Sequence, residues 1–147
     1  MTLQDLAARV GEVIATSEWV ELGQDKIDLF AEATGDRQFI HVDPEQAKLT
    51  PFGQTIAHGF LTLSLLAAMI QEHGPDIDVQ MTVNYGLNKV RFLAPVKSGK
   101  RVRGHFKLVE LAEKRPGQWQ QTLECTLEIE GEDKPALIAE WILQLFV

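Results

Sequence analysis

The feature that most constrains this chain is an almost wholly apolar segment of helical pattern, residues 57–73. Its central run, residues 60–70, is shorter than the roughly 20 apolar residues that a membrane-spanning helix needs. A helix that is this short and apolar on nearly all sides is typical of a protein core. Gly74 and Pro75 follow directly and predict its end. We therefore expect a buried helix here and no contact with a membrane.

The second half of the chain predicts the sheet that surrounds this helix. Residues 79–92 are extended, with a break at Tyr85 and Gly86. Three further segments alternate apolar with polar side chains, residues 100–111, 118–130 and 136–147. Two hairpin turns, residues 114–117 and 131–134, separate these three segments. An antiparallel sheet needs its apolar face covered, and only the 57–73 helix is apolar enough to cover it.

The first half of the chain predicts helices. Apolar residues at helical spacing indicate an amphipathic helix from Leu3 to Ile14 and a second helix that ends near Gly35. Residues 17–22 predict a short strand or an extended link, and Asp43 suits the N-cap of a short helix over residues 45–48. A chain of 147 residues can bury one proper core. We expect an α+β fold in a single domain spanning residues 1–147.

The composition argues against several classes of partner. A net charge of −7 and an isoelectric point near 5.0 do not suit a nucleic-acid partner. Only residues 97–107 are locally basic, which indicates either a solvated strand face or a site for a phosphate-bearing ligand. The one cysteine, Cys125, can form no intrachain disulfide and lies in a pattern typical of a core strand. The N-terminal segment lacks the pattern of a signal peptide, so we expect a cytoplasmic location.

A carboxylate and an imidazole give the strongest indication of chemistry. Asp36 and His41 are separated by four residues, and both side chains can hydrogen-bond one water molecule. Downstream, Gly59 stands at the predicted start of the apolar helix. Its backbone N–H would lie at the positive end of the helix dipole, which suits a developing oxyanion. The pattern predicts addition or removal of water next to a polarised carbonyl.

Each of these residues also has a structural explanation when it is taken alone. Asp36 could be a turn or cap residue, and His41 a core histidine. Gly59 could serve close packing of helix against sheet, and His58 could be structural near the helix start. The spacing of the acid and the imidazole, with His58-Gly59 downstream, favours catalysis. A metal site is not indicated, because the remaining histidines are scattered along the chain.

Five short motifs carry a resemblance to a known family. They are Ala33-Thr34-Gly35-Asp36, Ile40-His41-Val42-Asp43-Pro44, Ile56-Ala57-His58-Gly59, Val90-Arg91-Phe92 and Pro95-Val96. Together they resemble the MaoC-like (R)-specific enoyl-CoA hydratases. Gln38 and Phe39 replace the Asn and Pro of the commonest hydratase motif, and with residues 84–92 they resemble the branch named after nodulation protein N. The resemblance implies a hot-dog fold, in which an antiparallel sheet wraps a long helix, and a homodimer or higher homo-oligomer.

The resemblance also implies roles for individual residues. Asp36 and His41 would hydrate trans-2-enoyl thioesters of CoA or an acyl-carrier protein to (R)-3-hydroxyacyl thioesters, without any cofactor other than the CoA of the substrate. The implied oxyanion and substrate-binding set is Gly59, His58, Ala57, Gln38, Asn84, Tyr85 and Gly86. For Gly86 a simple strand bend is the alternative, and Arg91 would meet either a CoA phosphate or an acidic side chain.

Two other functions remain open at this point. A hot-dog thioesterase would also use a carboxylate, but the spacing of Asp36 and His41 matches the hydratases better. A non-catalytic acyl-thioester-binding or dimerisation protein would have no need of either residue. Thr62 and Ser64 lie one turn further along the helix and could reach the site or only pack in the core.

Overall fold

Helix α5 (Gly59–His73) lies against an antiparallel sheet in the computed structural model, which describes residues 1–147. The sheet has the strand order β1-β4-β5-β6-β3, and β2 pairs with β4 beside this path. The remaining elements, in chain order, are α1 (Leu3–Ala7), β1 (Val13–Thr16), β2 (Val20–Glu21), α2 (Gln24–Thr34), α3 (Phe39–Val42), α4 (Pro44–Ala47), β3 (Met81–Phe92), β4 (Arg101–Arg115), β5 (Gln118–Ile129) and β6 (Leu137–Phe146). The predicted α+β arrangement, with the apolar helix against an antiparallel meander, is confirmed.

The core lies between α5 and the inner face of the sheet. Leu66 and Met69 of α5 are buried there together with Phe106 of β4 and Leu123 of β5. Alternate residues along β4, β5 and β6 point into this layer, as the period-2 pattern predicts. Cys125 belongs to it, and burial raises the pKa of its thiol to about 12. The thiol is therefore a packing group.

The N-terminal helix is shorter than predicted. Helix α1 ends at Ala7, and Ile14, which was assigned to the helix, lies in strand β1. Gly11 has a left-handed backbone (φ 94°) and its N–H donates to the carbonyl of Leu108 at 2.7 Å. Strand pairing with β4 therefore overrides the local helical pattern.

The region between α2 and α5 also differs from the sequence prediction, in the start of α5 and in one additional helix. Helix α5 begins at Gly59 rather than Ala57, because the N–H of Ala57 donates to the carbonyl of Val96 at 2.8 Å and holds the chain extended. The one-turn helix α3 was not predicted. The short helix α4 was predicted, and the Asp43 side chain caps it by accepting from the N–H of Gln46 at 3.1 Å.

Three basic residues of β4 contact carboxylates on the outer face of the sheet. Arg101 forms an ion pair with Glu130, the residue that follows β5. Arg103 and His105 both contact Glu128, at 2.8 and 2.7 Å. These cross-strand contacts support the interpretation of this segment as a solvated strand face.

Strand β3 forms one edge of the sheet. It pairs only with β6, and the predicted break is present as a register shift between Asn84 and Gly86. Five large apolar or aromatic side chains of β3 are exposed, Met81, Val83, Tyr85, Leu87 and Phe92. Long, exposed apolar edges are templates for pairing with another chain. None of the helices has the length and apolar character required to span a membrane.

We expect Gly104→Ala to destabilise the fold by about 1–3 kcal/mol, because overpacking forces side chains out of their preferred positions. A Cβ at Gly104 would come within 2.9 Å of the buried Phe106 ring and 3.0 Å of the Met69 sulfur. Gly86→Ala is the matched control, since a Cβ there meets no atom within 4 Å. Urea unfolding of both variants at one protein concentration measures the difference, and equal stability would contradict the packing argument.

Candidate active site

A tight turn after α2 brings Asp36 and His41 together. Gly35 ends α2 in the left-handed conformation (φ 82°), and its N–H donates to the carbonyl of Ala31 at 2.8 Å. Asp36 follows directly, and its carboxylate accepts the N–H of Gln38 at 3.3 Å. The single turn of α3 then places His41 beside it. The carboxylate remains exposed, whereas the imidazole is buried.

His41 presents one free nitrogen. Its Nδ1 lies 2.7 Å from the carbonyl oxygen of Ile56, and because a carbonyl can only accept, Nδ1 carries the proton. Nε2 of the neutral ring therefore keeps its lone pair. Burial lowers the pKa of His41, and the nearby His58 lowers it further, while the Ile56 hydrogen bond and the Asp36 charge oppose them. The ring is suited to act as a neutral base near pH 7.

His58 supports the pair from behind. It is only 2% exposed, and its Nε2–H donates to the backbone carbonyl of Asp36 at 2.9 Å. Its ring stacks on His41 with centroids 3.8 Å apart and packs against Phe30 at 4.8 Å. These contacts give His58 a structural place beside Asp36 and His41, and the implied substrate-binding role of His58 stays a prediction.

Gly59 is the first residue of α5, immediately after His58. The N–H groups of a first helical turn have no partner within the helix, so this one is available to a ligand. A Cβ at this position would lie 3.0 Å from the Phe92 ring, so a larger residue would need that ring to shift. Ala57 is 6% exposed and its N–H already donates to the carbonyl of Val96, so that N–H is not free to donate to a substrate. Gln38 is exposed at the N-cap of α3, next to the carboxylate.

Asp36, His41 and His58 form a cluster of residue types that can ligate a metal ion. One ligand atom each of Asp36, His41 and His58 lie within 4.8 Å of one another. The two imidazole planes, however, are only 22° apart and stacked. Ring lone pairs lie in the ring plane, so two nearly parallel rings cannot both point at one ion about 2.1 Å away. The geometry suits a shared water better than a tetrahedral metal ion.

Gln24 and Thr55 are positioning residues that sequence reasoning missed. The amide of Gln24 donates to the carbonyl of His41 at 2.7 Å, and the hydroxyl of Thr55 donates to the Gln24 amide oxygen at 2.5 Å. Thr55 is 3% exposed. Together they tie α2 and the segment before α5 to the turn that carries His41. A lone Gln at the start of a helix gives no sequence signal for this role.

Two cavities lie side by side between α5 and the edge of the sheet. The smaller, about 340 Å³, begins at Phe60 and is lined by Asn84, Tyr85 and Gly86, three of the predicted substrate-binding residues. The larger, about 710 Å³, continues toward the C-terminal half of α5. Ala67, Asn84 and Trp141 line both cavities. The two cavities therefore adjoin, and together we call them the slot; its lining along α5 begins at Phe60, the residue after Gly59.

The side chains of Thr62, Ser64 and Arg91 all donate to nearby backbone carbonyls. The hydroxyl of Thr62 donates to the carbonyl of Gly59 at 2.6 Å, and the hydroxyl of Ser64 donates to that of Phe60 at 2.7 Å. Both are thus occupied within the helix. Arg91 donates to the carbonyl of Val90 at 2.7 Å and pairs with no carboxylate.

Comparisons with known proteins agree with this geometry. Residues 5–130 match the MaoC like domain. The chain is 53% identical to nodulation protein N of Rhizobium leguminosarum bv. viciae, covering 97% of this chain and 89% of that protein. It is 49% identical to 3-hydroxyacyl-thioester dehydratase Z of Mycobacterium tuberculosis, covering 97% and 95%. The solved structure of R-hydratase PhaJ1 from Pseudomonas aeruginosa superposes with a TM-score of 0.71 at 25% identity, covering 90% and 80%.

The chain belongs to the MaoC-like dehydratase family. Its close similarity to nodulation protein N confirms the predicted branch. The likeness to MaoC-type structures confirms the hot-dog fold, with α5 as the wrapped helix. Membership of this family makes the protein an enzyme of the hydro-lyase class.

Asp36→Asn should lower the pKa of His41 further, because it removes a negative charge that favours the imidazolium. A pH titration of the His41 ring by NMR measures the shift. Asp43→Asn is the matched control, since Asn also caps a helix and Asp43 does not contribute to the shift of His41. An unchanged or raised pKa of His41 in the Asp36 variant would contradict the assigned proximity of the two groups.

Proposed function

We propose that this protein is an (R)-specific hydratase and dehydratase of acyl thioesters, interconverting trans-2-enoyl and (R)-3-hydroxyacyl thioesters in the cytoplasm. One observation carries the proposal. The exposed carboxylate of Asp36 and the buried neutral imidazole of His41 lie within 4.8 Å of each other, and His58, which stacks on His41, directly precedes the first N–H of α5. The similarity to 3-hydroxyacyl-thioester dehydratase Z supports the substrate class, and the similarity to an R-hydratase supports the stereochemistry.

The mechanism assigns each group a place in the addition of water. Asp36 and His41 hold one water molecule and take a proton from it as its oxygen bonds to C3 of the enoyl group. The electron pair of the C2–C3 double bond moves toward the thioester, and charge develops on the carbonyl oxygen. The N–H of Gly59 donates to this oxyanion. The pair then returns the proton to C2, and the reverse sequence eliminates water.

The slot along α5 is the proposed place of the acyl chain. Its first cavity is lined by apolar and aromatic side chains, Phe60, Leu63, Leu66, Tyr85 and Leu87. Because this cavity starts one residue beyond Gly59, a thioester carbonyl on that N–H would direct its chain into the slot. Asn84, Tyr85 and Gly86 form the wall on the side of strand β3, which supports their assignment as substrate-binding residues.

We infer that the protein works without a cofactor. The mechanism uses only the Asp36 carboxylate, the His41 imidazole and a backbone N–H. The stacking of His41 on His58 does not favour a metal ion between them. CoA or an acyl-carrier protein enters only as part of the substrate.

Purified protein should hydrate crotonyl-CoA to (R)-3-hydroxybutyryl-CoA, measured by the loss of enoyl absorbance and by chiral analysis of the product. We expect Asp36→Asn and His41→Ala to lower kcat by about 10²- to 10⁴-fold, the range of general acid–base catalysis. Treatment with a chelator should leave the rate unchanged. The control variant is Asp43→Asn, which keeps the cap of α4 and should retain full activity.

The same assay separates the alternatives. Release of free CoA thiol without hydration would indicate a thioesterase. Binding of crotonyl-CoA with neither reaction would indicate a non-catalytic acyl-thioester-binding protein. Full hydratase activity in both Asp36→Asn and His41→Ala would reject the assigned mechanism.

A homodimer formed through strand β3 is a further part of the proposal. Strand β3 pairs on one side only, and its exposed residues include Val83 and Tyr85, at 41% and 63%. Such an edge is unusual for a monomer, because natural edge strands are short, charged or covered. A second copy paired there would also lie next to the slot, whose wall includes Tyr85 and Gly86.

Val83→Lys should shift the protein from dimer to monomer, because a lysine at an edge opposes strand pairing. Light scattering coupled to size exclusion measures the molar mass. Val13→Lys provides a control on the opposite edge, since Val13 of β1 is also exposed (55%) but lies far from β3 in the strand order. A monomeric wild type, or a dimer lost only in the Val13 variant, would contradict this interface.

A further inference from the structure

Gln121 interrupts an otherwise apolar row on the inner face of the sheet. In the strand register it pairs with Leu111 of β4 and Leu143 of β6, both buried. Gln121 itself is only 5% exposed. The alternation of β5 places position 121 inward, between Trp119 and Leu123. A leucine or methionine would therefore satisfy the packing of the sheet at this position.

The side-chain amide of Gln121 has no protein partner. Buried amides in native proteins are normally hydrogen-bonded, because burial without a partner is costly. The only side-chain polar atom that is both unpartnered and sealed from solvent is Nδ1 of His58, so the Gln121 amide is open to the space beside it. That space is the larger cavity of the slot, which Gln121 lines. The partner of this amide must come from whatever occupies the cavity.

A second amide faces the same slot with a fixed orientation. The indole N–H of Trp141 donates to the side-chain oxygen of Asn84 at 3.1 Å. Since an indole nitrogen can only donate, the Asn84 oxygen is identified and its NH₂ group is left to donate elsewhere. Asn84 and Trp141 line both cavities, so this amide stands where the first cavity opens into the second.

We call the larger cavity, which Gln121 lines, the polar chamber. Its position along α5 sets its distance from a thioester carbonyl bound at Gly59. The larger cavity begins at Ala67, eight residues after Gly59. At 1.5 Å per residue this is about 12 Å along the helix, the length of an extended acyl chain of roughly ten carbons. A four-carbon chain ends well before the chamber.

We propose that Gln121 forms a polar acyl subsite and that the preferred substrates are thioesters whose acyl chain carries a hydrogen-bonding oxygen about ten carbons from the carbonyl. This proposal rests on the proposed hydratase function for its substrate class. A hydroxyl group fits the chamber, because it can both donate to and accept from the Gln121 amide. A plain alkyl chain would leave that amide without a partner.

The test compares two chains of equal length. We expect the wild type to favour 10-hydroxy-trans-2-decenoyl-CoA over trans-2-decenoyl-CoA by about 3- to 10-fold in kcat/KM, the range of one neutral hydrogen bond. Gln121→Met, which keeps the length of the side chain but removes the amide, should abolish or reverse this preference. It should leave the hydration of crotonyl-CoA unchanged and should not lower the melting temperature.

Gln120→Met is the matched control. Gln120 is the neighbouring residue of β5, on the opposite face of the sheet, and pairs with Gln144 of β6. This variant should keep the wild-type preference. A wild type with no preference for the hydroxylated chain, or a Gln121→Met variant that keeps it, would overturn the proposal and leave Gln121 a residue that binds only water.

A binding measurement keeps this test separate from the test of the reaction. Decanoyl-CoA and 10-hydroxydecanoyl-CoA are saturated and cannot be hydrated, so calorimetry reports their dissociation constants whether or not the protein is a hydratase. The same 3- to 10-fold preference, lost in Gln121→Met, would support the subsite even if crotonyl-CoA were not hydrated. Equal dissociation constants for the two chains would overturn it.

Discussion

The burial of α5 is the constraint on which the rest of this structure depends. The helix is apolar on nearly all sides, so the sheet must wrap it, and its two ends are the places where it can meet polar chemistry. At the N-terminal end, the chain enters the helix through His58 and Gly59, immediately beside the turn that carries Asp36. The packing of α5 therefore brings the positive end of its dipole close to Asp36 and His41, the proposed acid–base pair.

The two members of that pair have opposite environments. Asp36 is exposed and held by the backbone of its own turn, whereas His41 is buried, stacked and tied by its ring to Ile56. Burial lowers the pKa of His41, so its imidazole is neutral near pH 7. The proposed mechanism uses this difference, since an exposed carboxylate and the lone pair of a neutral imidazole can both accept a hydrogen bond from one water molecule.

The sequence was informative where chemistry and periodicity coincide. The types and spacing of Asp36, His41 and Gly59 match a family pattern and made them candidates, and the structure brings Asp36 and His41 together. The period-2 alternation correctly placed the inner faces of β4 and β5. The error at Ile14 arose because pairing of β1 with β4 decides that segment, and pairing partners are not visible in a local pattern. Helix α3 has only four residues, too few to show a helical period.

The supporting residues were beyond prediction for a different reason. Gln24 and Thr55 act through contacts across 17 and 31 positions in sequence, and neither residue type is unusual where it occurs. Gln121 did carry a signal, since it occupies an inward position of a strongly alternating strand. A polar residue at an inward position of an apolar alternating strand is an exception to the pattern, and this exception would have indicated Gln121.

The segment between His41 and Ile56 is closed at its base by two hydrogen bonds. The N–H of Ile56 donates to the carbonyl of Ile40 at 3.0 Å, and the His41 ring donates to the carbonyl of Ile56 at 2.7 Å. The excursion between them carries α4 and the highly exposed Leu49. Because both ends of the segment are held by these bonds, lengthening it around the exposed Leu49, away from Thr55, costs little closure entropy. Residues could therefore be inserted near Leu49 to add new surface without breaking the hydrogen bonds that hold His41.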